Sequence, residues 1–138
     1  MRRLALLLTG MFSIFAWGLD VRNLRVEDYR NPIGIDVVCP HLSWELSSEV
    51  RGTVLQSYNI QIATDAMMGN VIWDSGSIAS EKNVDVPLDG FSTQPRTRYY
   101  WCVTVTDNHG ETATSIEKAF FETGLMGEQE WNGMEHHG

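Results

Sequence analysis

The chain has 138 residues, enough for one domain, and its formal net charge is −8 because 18 acidic residues face 10 basic ones. A surface of this sign repels phosphate backbones and anionic lipid, which argues against nucleic acid or a lipid surface as a partner. The acidic residues are spread along the chain rather than gathered in runs, so the charge by itself indicates no particular partner.

The first 18 residues have the three parts of a secretory signal peptide. Two arginines follow Met1, an apolar run extends from Leu4 to Trp17, and Ala16-Trp17-Gly18 resembles a cleavage site. The apolar run is shorter than the ~20 residues that a membrane-spanning helix needs. We therefore expect residues 1–18 to be removed on export to the periplasm or the cell exterior, leaving no membrane segment. A membrane anchor is the alternative interpretation.

Seven segments after this leader alternate apolar and polar residues in the manner of β-strands. They are Leu19–Val26, Leu42–Leu46, Tyr58–Ile62, Val71–Asp74, Asn83–Leu88, Thr97–Asp107 and Ala119–Thr123. The first is expected to be an edge strand whose phase slips near Asn23. Pro87 indicates a sheet edge or a strand end. Residues 27–40 are predicted to be irregular, because Asn31-Pro32 and Gly34 are structure breakers.

Short strands separated by turns, without helical periodicity, predict an all-β fold, a β-sandwich over residues 19–125. Residues 126–138 show neither strand alternation nor a helical stripe, and we expect a disordered or truncated tail there.

The segment Thr97–Asp107 is predicted to be the central strand of this sandwich. Its alternation places Tyr99 and Trp101 on the inner face and Tyr100 and Cys102 on the outer face. The following Asp107–Gly110 turn would return the chain into an antiparallel partner. Tyr99, near the start of the strand, is a candidate tyrosine corner. The expected core anchors of the whole sandwich are Trp44, Tyr58, Tyr99 and Trp101.

The two cysteines, Cys39 and Cys102, are not expected to form a disulfide, although an exported chain permits one. Cys102 should point away from the core, and Cys39 precedes a strand that we place on the other sheet, ~10 Å away. A disulfide requires Cα atoms within ~7 Å of each other. A bridge remains the alternative. The sequence has no cluster of Cys and His, so we predict no metal site and no cofactor.

Five motifs occur in an order that resembles a known family: Asn31–Asp36, Pro40–Trp44, Trp73–Gly76, Thr97–Trp101 and Phe120–Leu125. The stretches LSWEL, YNIQIA and TRYYWCVTV resemble the Trp–Tyr–Tyr skeleton of a fibronectin type III domain. With the flanking motifs, the chain is similar from about Leu24 to Trp131 to the N-terminal domain of bacterial alpha-L-rhamnosidases, especially those of Bacteroides-like gut bacteria. The resemblance implies a fibronectin type III or immunoglobulin-like sandwich of about seven strands.

The resemblance also implies that this chain is not catalytic. The family's catalytic acids lie in a helical barrel beyond this domain, and the sandwich would pack on later β-domains and on that barrel. Where the family usually has Arg, this chain has His41, and where it has a basic residue, this chain has Cys102, so neither carries a family role. After Trp131 the expected continuation is missing, which suggests a truncated or frameshifted reading frame.

The acidic residues themselves favour the same reading. Glycoside hydrolysis needs two carboxyl groups ~5–9.5 Å apart, one of them with a raised pKa. The acids on the predicted strands, such as Glu45 and Asp74, alternate outward and should keep ordinary pKa values. We therefore predict no catalytic residue.

Three polar aromatic residues, Trp73, Tyr100 and His109, are candidates for stacking on a sugar. They would make the chain a free-standing carbohydrate-binding or adhesion module with a glycan as its partner. The alternative, which we favour, is that Trp73 and Tyr100 make ordinary cross-strand contacts, because single exposed aromatic residues are common. Apolar residues on the outside of the sandwich would instead form a docking face for the rest of the parent enzyme.

Overall fold

The computed structural model describes residues 18–126, which form ten β-strands and no helix. The strands are β1 (Asp20–Val26), β2 (Ile33–Ile35), β3 (His41–Ser47), β4 (Leu55–Ala63), β5 (Val71–Asp74), β6 (Ile78–Ala79), β7 (Val86–Pro87), β8 (Arg98–Asp107), β9 (Thr112–Thr114) and β10 (Ala119–Thr123). The predicted signal peptide, apart from Gly18, and the predicted tail, apart from Met126, lie outside the described residues. Within residues 18–126 there is no helix of the length and hydropathy that a membrane span requires.

The strands form two sheets, which confirms the predicted β-sandwich. The smaller sheet has the order β1-β3-β7, and the larger has the order β2-β10-β8-β4-β5, with β6 paired to β4 and β9 to β8. As predicted, β8 is central, because it pairs with β10 on one side and with β4 on the other. The predicted return after Gly110 is also present, as β9 runs antiparallel to β8.

A single hydrophobic core fills the space between the sheets. Trp44 and Trp101 are buried completely or nearly so, at 0% and 1% exposure, and Tyr58 and Tyr99 also belong to this core. The rings of Trp44 and Tyr58 meet edge to face with their centroids 5.3 Å apart, and those of Tyr99 and Phe121 lie 5.2 Å apart. The four expected anchors therefore bring aromatic rings from both sheets into one dry layer.

Tyr99 forms the predicted tyrosine corner. Its hydroxyl accepts a hydrogen bond from the backbone amide of Gln94 at 2.8 Å. The bond ties the start of β8 to the loop that precedes it, so the chain enters the central strand in a fixed direction.

The strand β2 corrects the prediction that residues 27–40 are irregular. It pairs in parallel with β10, and the amide of Glu122 donates to the carbonyl of Pro32 at 3.0 Å. Pro32 and Gly34 do not prevent this pairing, because the strand has only three residues and lies at the sheet edge, where a missing donor is tolerated.

The predicted strand over Asn83–Leu88 is also shorter in the structure, where only Val86 and Pro87 are paired. Asp85 has a φ of 53°, which no regular strand residue adopts. The carbonyl of Asn83 still accepts from the amide of Trp44 at 3.0 Å. The segment therefore contacts β3 at two points with a kink between them. The smaller sheet ends at Pro87's strand, as the proline indicated.

The phase slip predicted in the first strand is confirmed. The register of β1 on β3 shifts between Arg22 and Arg25, and Asn23 within the shift has a φ of 54°. The backbone amides freed by this bulge turn toward Glu117, whose carboxylate accepts from the amides of Asn23 at 3.1 Å and Leu24 at 3.4 Å. One acidic side chain therefore joins the edge of the smaller sheet to the loop before β10.

Both cysteines are free thiols. The Sγ of Cys39 donates to the carbonyl of Leu88 at 3.4 Å. Cys102 lies on the outer face of the larger sheet, with its Sγ 3.9 Å from the side-chain oxygen of Gln61. Burial, and secondarily the charge of Asp74, raise the pKa of the Cys102 thiol, so the protonated form is favoured.

Candidate functional site

The three residues predicted to stack on a sugar lie in three separate places. Trp73 on β5 is opposite the buried Ile62 and packs against the core, with its ring 5.7 Å from that of Phe91. Tyr100 lies near the start of β8 on the outer face, and His109 lies in the turn beyond the end of β8. Seven strand positions separate Tyr100 from Asp107, a distance of roughly 23 Å at ~3.3 Å per residue. The structure therefore does not assemble these residues into one platform.

Asp74 does not have the ordinary environment that the sequence indicated. Its carboxylate accepts from the amide nitrogens of Asn59 and Gln61 at 2.9 and 2.8 Å, and from the backbone of Gly76 at 2.8 Å. The bond from Gln61, followed by that from Gly76, lowers the pKa of this carboxyl. The shift favours the ionised form, which is the opposite of what a catalytic acid requires.

Asp107 contradicts the expectation that acids on the strands point into solvent, because it is only 1% exposed. Its Oδ1 accepts from the backbone amides of His109 at 2.8 Å and Glu111 at 2.9 Å. It also sits opposite the imidazole of His109, with Oδ2 4.0 Å from Nδ1. The buried carboxylate thus closes the turn between β8 and β9. It is a structural acid.

Three of the carboxylates with hydrogen-bond partners lie in separate places: Asp74 on the outer face of β5, Asp107 at the end of β8, and Glu117 against β1. Asp74 and Asp107 accept from donors close to them in the sheet or the turn, and Glu117 accepts from the amides of the β1 bulge. Among residues 18–126 there is also no group of three or more His, Cys, Asp or Glu that could hold a metal ion. These three carboxylates therefore act as structural acids, each holding parts of the backbone or side chains of the fold in place.

The end of β10, where the chain leaves the sandwich, is held by several hydrogen bonds. The hydroxyl of Thr123 accepts from the amide of Thr97 at 2.9 Å and donates to the carbonyl of Gln94. The amide of Thr123 donates in turn to the carbonyl of Thr97 at 2.9 Å. Thr123 is buried, so these bonds are shielded from water.

The next three residues are held on the other side by the segment around β2. The amide of Gly124 donates to the carbonyl of Ile35 at 2.8 Å, and its carbonyl accepts from the amide of Arg96 at 2.9 Å. The amide of Met126 donates to the carboxylate of Asp36 at 3.0 Å. A Cβ at Gly124 would stand 2.9 Å from that carboxylate and 3.1 Å from the backbone oxygen of Gly34, so any larger residue would force the clamp to shift. We call residues Thr123–Met126 with these partners the exit clamp. Sequence reasoning missed it, although NPIGID and FFETGL both carried the family resemblance.

Comparison with known proteins gives a consistent result. A model of a family described as Rha78A-like, N-terminal immunoglobulin domain, matches residues 21–127. An alpha-L-rhamnosidase of Streptomyces avermitilis is 36% identical over 116 residues, which are 83% of this chain and 11% of that protein. One from Formosa agariphila is 30% identical over 118 residues, 82% of this chain and 12% of that protein. The chain therefore spans a small fraction of the length of the curated relatives it matches.

Two solved structures show the same proportions. The alpha-L-rhamnosidase of Streptomyces avermitilis complexed with L-rhamnose matches with a TM-score of 0.77 and 37% identity, over 83% of this chain and 11% of that one. The alpha-L-rhamnosidase from Dictyoglumus thermophilum matches with a TM-score of 0.73 and 26% identity, over 81% of this chain and 13% of that one.

Proposed function

We propose, because this chain belongs to the Rha78A-like family of N-terminal immunoglobulin domains, that it is the non-catalytic amino-terminal domain of an alpha-L-rhamnosidase. The observation that carries the proposal is the extent of the match, in which 83% of this chain aligns with only 11% of the Streptomyces avermitilis protein. The parent enzyme would remove terminal alpha-L-rhamnose from glycans. Its catalytic acids would lie in the part of the protein that follows this domain.

The acidic residues of the described part support this assignment. A glycosidase holds two carboxyl groups at opposite sides of one sugar and raises the pKa of one of them. Here hydrogen bonding lowers the pKa of Asp74, while Asp107 and Glu117 are occupied by backbone amides. Removing any of these carboxylates should alter stability rather than chemistry.

The contribution of the domain to the parent would be structural. The exit clamp fixes the direction in which the chain leaves the sandwich, so the following part of the protein would be held at a constant angle to it. The signal peptide predicted over residues 1–18 is the ground for proposing export of the parent to the periplasm or the cell exterior. The domain would then add stability to an enzyme that works without cytoplasmic chaperones.

Domain replacement in the Streptomyces avermitilis relative tests the proposal. Three proteins are compared: the intact relative, the relative without its matching domain, and a chimaera in which residues 19–126 of this chain replace that domain. We expect the truncated protein to lose rhamnoside hydrolysis faster on heating, and the chimaera to recover most of the lost half-life.

A chimaera carrying Trp44→Ala is the matched control, since it retains the surface while removing the core anchor. It should behave like the truncated protein. If the truncated protein survives heating as long as the intact relative, the domain is not a stabilising accessory and the proposal is wrong.

A further inference from the structure

One row of the outer face of the larger sheet is apolar across four strands. The register pairs Phe120 with Tyr100, Tyr100 with Ala63, and Ala63 with Val71. Residues paired across strands lie on the same face of a sheet. On the flanking strand β2, Ile33 is paired with Glu122, which alternates with the buried Phe121, so Ile33 also faces outward and is 65% exposed.

The other end of the same face is polar, and several of its side chains are hydrogen-bonded to one another. Asn59 and Gln61 donate to Asp74 at 2.9 and 2.8 Å, and the hydroxyls of Thr104 and Thr114 share a bond of 2.8 Å. This is the usual composition of a sheet face in contact with water. The apolar residues therefore lie on the part of the face that β10 covers, toward the end at which the chain leaves the domain. We call Ile33, Val71, Tyr100 and Phe120 the exit patch.

Two aromatic rings of the exit patch pack together, and the neighbouring cation of Arg98 lies over one of them. The guanidinium of Arg98 lies 4.1 Å from the centroid of the Phe120 ring, and the rings of Phe120 and Tyr100 are 6.0 Å apart. The Nε of Arg98 donates a hydrogen bond of 2.9 Å to the carboxylate of Glu122, which orients the guanidinium. Half-buried Tyr and Arg side chains already held in one rotamer lose little entropy on docking, and these residue types dominate protein interfaces.

A groove borders the patch on the side of Tyr100. Its cavity of about 140 Å³ is lined by Tyr100 and by two loops that carry Met67 and Ile116. These side chains are 75% and 89% exposed, and the Nζ of Lys118 lies 3.7 Å from the Sδ of Met67. A single protruding side chain of a docked surface would fit between the loops.

We infer that the exit patch and this groove seat the domain that follows this one in the parent enzyme, through an apolar surface with one side chain inserted in the groove. In the relatives, the match to this chain occupies 11% and 12% of the protein, so a much larger body belongs to the same chain. The exit clamp directs the chain out of the domain beside β2, and covalent attachment raises the effective concentration of the following body at the neighbouring surface. The inference rests on the proposed function and adds which face of the domain makes the contact.

Hydroxyl-radical footprinting tests the assignment on side chains directly. The isolated chain and the chimaera of residues 19–126 with the Streptomyces avermitilis relative are labelled under the same conditions. We expect labelling of Ile33, Tyr100 and Phe120 to fall by roughly threefold or more in the chimaera, because the core of an interface excludes solvent. Val84, in the bend just before β7 of the smaller sheet and 47% exposed, should be labelled equally in both proteins.

Two surface variants give a second, functional measurement. Ile33→Ser in the chimaera should shorten the heat half-life of rhamnoside hydrolysis several-fold, whereas the matched Val84→Ser should not. In the isolated chain both variants should melt with the wild type, because both side chains are exposed. If the chimaera fails to fold, the isolated chain is titrated against the relative lacking its matching domain. Equal affinity of the wild type and Ile33→Ser would then overturn the inference.

These measurements distinguish a failure of the inference from a failure of the proposed function. A chimaera as stable as the intact relative, with protection on the smaller sheet instead, would overturn the inference and leave the proposed function standing. A chimaera no more stable than the truncated relative, with the patch fully labelled, would overturn both. If sedimentation shows that the isolated chain pairs through the patch, and the chimaera leaves it labelled, the occupant is a second copy and the inference is wrong.

Discussion

The amide of Gln94 donates a hydrogen bond of 2.8 Å to the hydroxyl of Tyr99. The carbonyl of the same Gln94 accepts from the hydroxyl of Thr123 at the end of β10. One loop residue therefore connects the entry into the central strand with the exit of the chain from the domain. The loop residue that fixes the start of β8 therefore also helps to fix the direction in which the chain leaves the domain.

Removing the Tyr99 hydroxyl should weaken this connection without disturbing the core. Tyr99→Phe keeps the ring against Phe121 but leaves the amide of Gln94 without its acceptor. We expect the free energy of unfolding, measured with urea, to fall by about 1–2 kcal/mol. Tyr29→Phe, at a ring that is 65% exposed, is the control and should be neutral. Equal values for the two variants would show that the corner contributes nothing.

Replacing Trp44 by another aromatic residue should destabilise the fold less than truncating it. Trp44→Ala leaves a cavity at a fully buried position and should cost about 3–5 kcal/mol of unfolding free energy. Trp44→Phe should cost clearly less, because a ring remains against Tyr58 and the Nε1 of Trp44 has no hydrogen-bond partner to lose. Chemical denaturation of both variants makes the comparison. A phenylalanine as damaging as alanine would mean that the indole nitrogen has an acceptor.

Glu117 should contribute more to the free energy of unfolding than its partial exposure suggests. Glu117→Ala would leave the bulge amides of Asn23 and Leu24 unpaired, at a cost of about 1–3 kcal/mol. Hydrogen exchange should also rise at these two amides first, since they belong to an edge strand. Glu49→Ala, at an exposed position, should change neither quantity. Unchanged protection at Leu24 in Glu117→Ala would contradict this role.

The lowered pKa of Asp74 makes the stability of the fold depend on pH. A carboxyl whose folded pKa lies below its unfolded value stabilises the fold above the unfolded pKa of ~3.9, and this stability is lost as pH falls through the folded pKa. Asp74→Asn should thus be less stable than the wild type at neutral pH, by under about 1 kcal/mol because the group is exposed and screened. The difference should vanish in acid.

Urea titrations of both proteins from neutral to strongly acidic pH measure this difference. Glu81→Gln, at an exposed carboxyl, serves as the control for a general change in net charge. A gap between wild type and Asp74→Asn that persists at the acidic end would rule out the carboxylate as its source.

Periodicity predicted the long strands because each position of a long strand repeats the same signal. β8 has ten residues that alternate without a break, and the exposure pattern follows them. β6 and β9 have two and three residues, too few for alternation, and they exist because β4 and β8 offer free edges to pair with. Strands of this length depend on their neighbours and cannot be predicted from their own sequence.

The sequence indicates the buried position of Asp107, but it does not indicate the exit patch. Asp107 has the same parity as Tyr99, so the alternation itself placed it on the inner face, and the turn signal that follows concealed this. The exit patch depends on Tyr100 meeting Ala63 and Val71 across two strands, one of which carries a bulge between Ile62 and Ala63. Such a register is set by packing of the whole sheet, and no local pattern indicates it.

The most direct test of the central claim is an assay of the purified chain with an aryl alpha-L-rhamnoside, beside the Streptomyces avermitilis relative at equal molar concentration. A non-catalytic domain predicts hydrolysis by the relative and none above the buffer rate by this chain. Hydrolysis by this chain that disappears when Asp74, Asp107 or Glu117 is replaced by its amide would contradict the account.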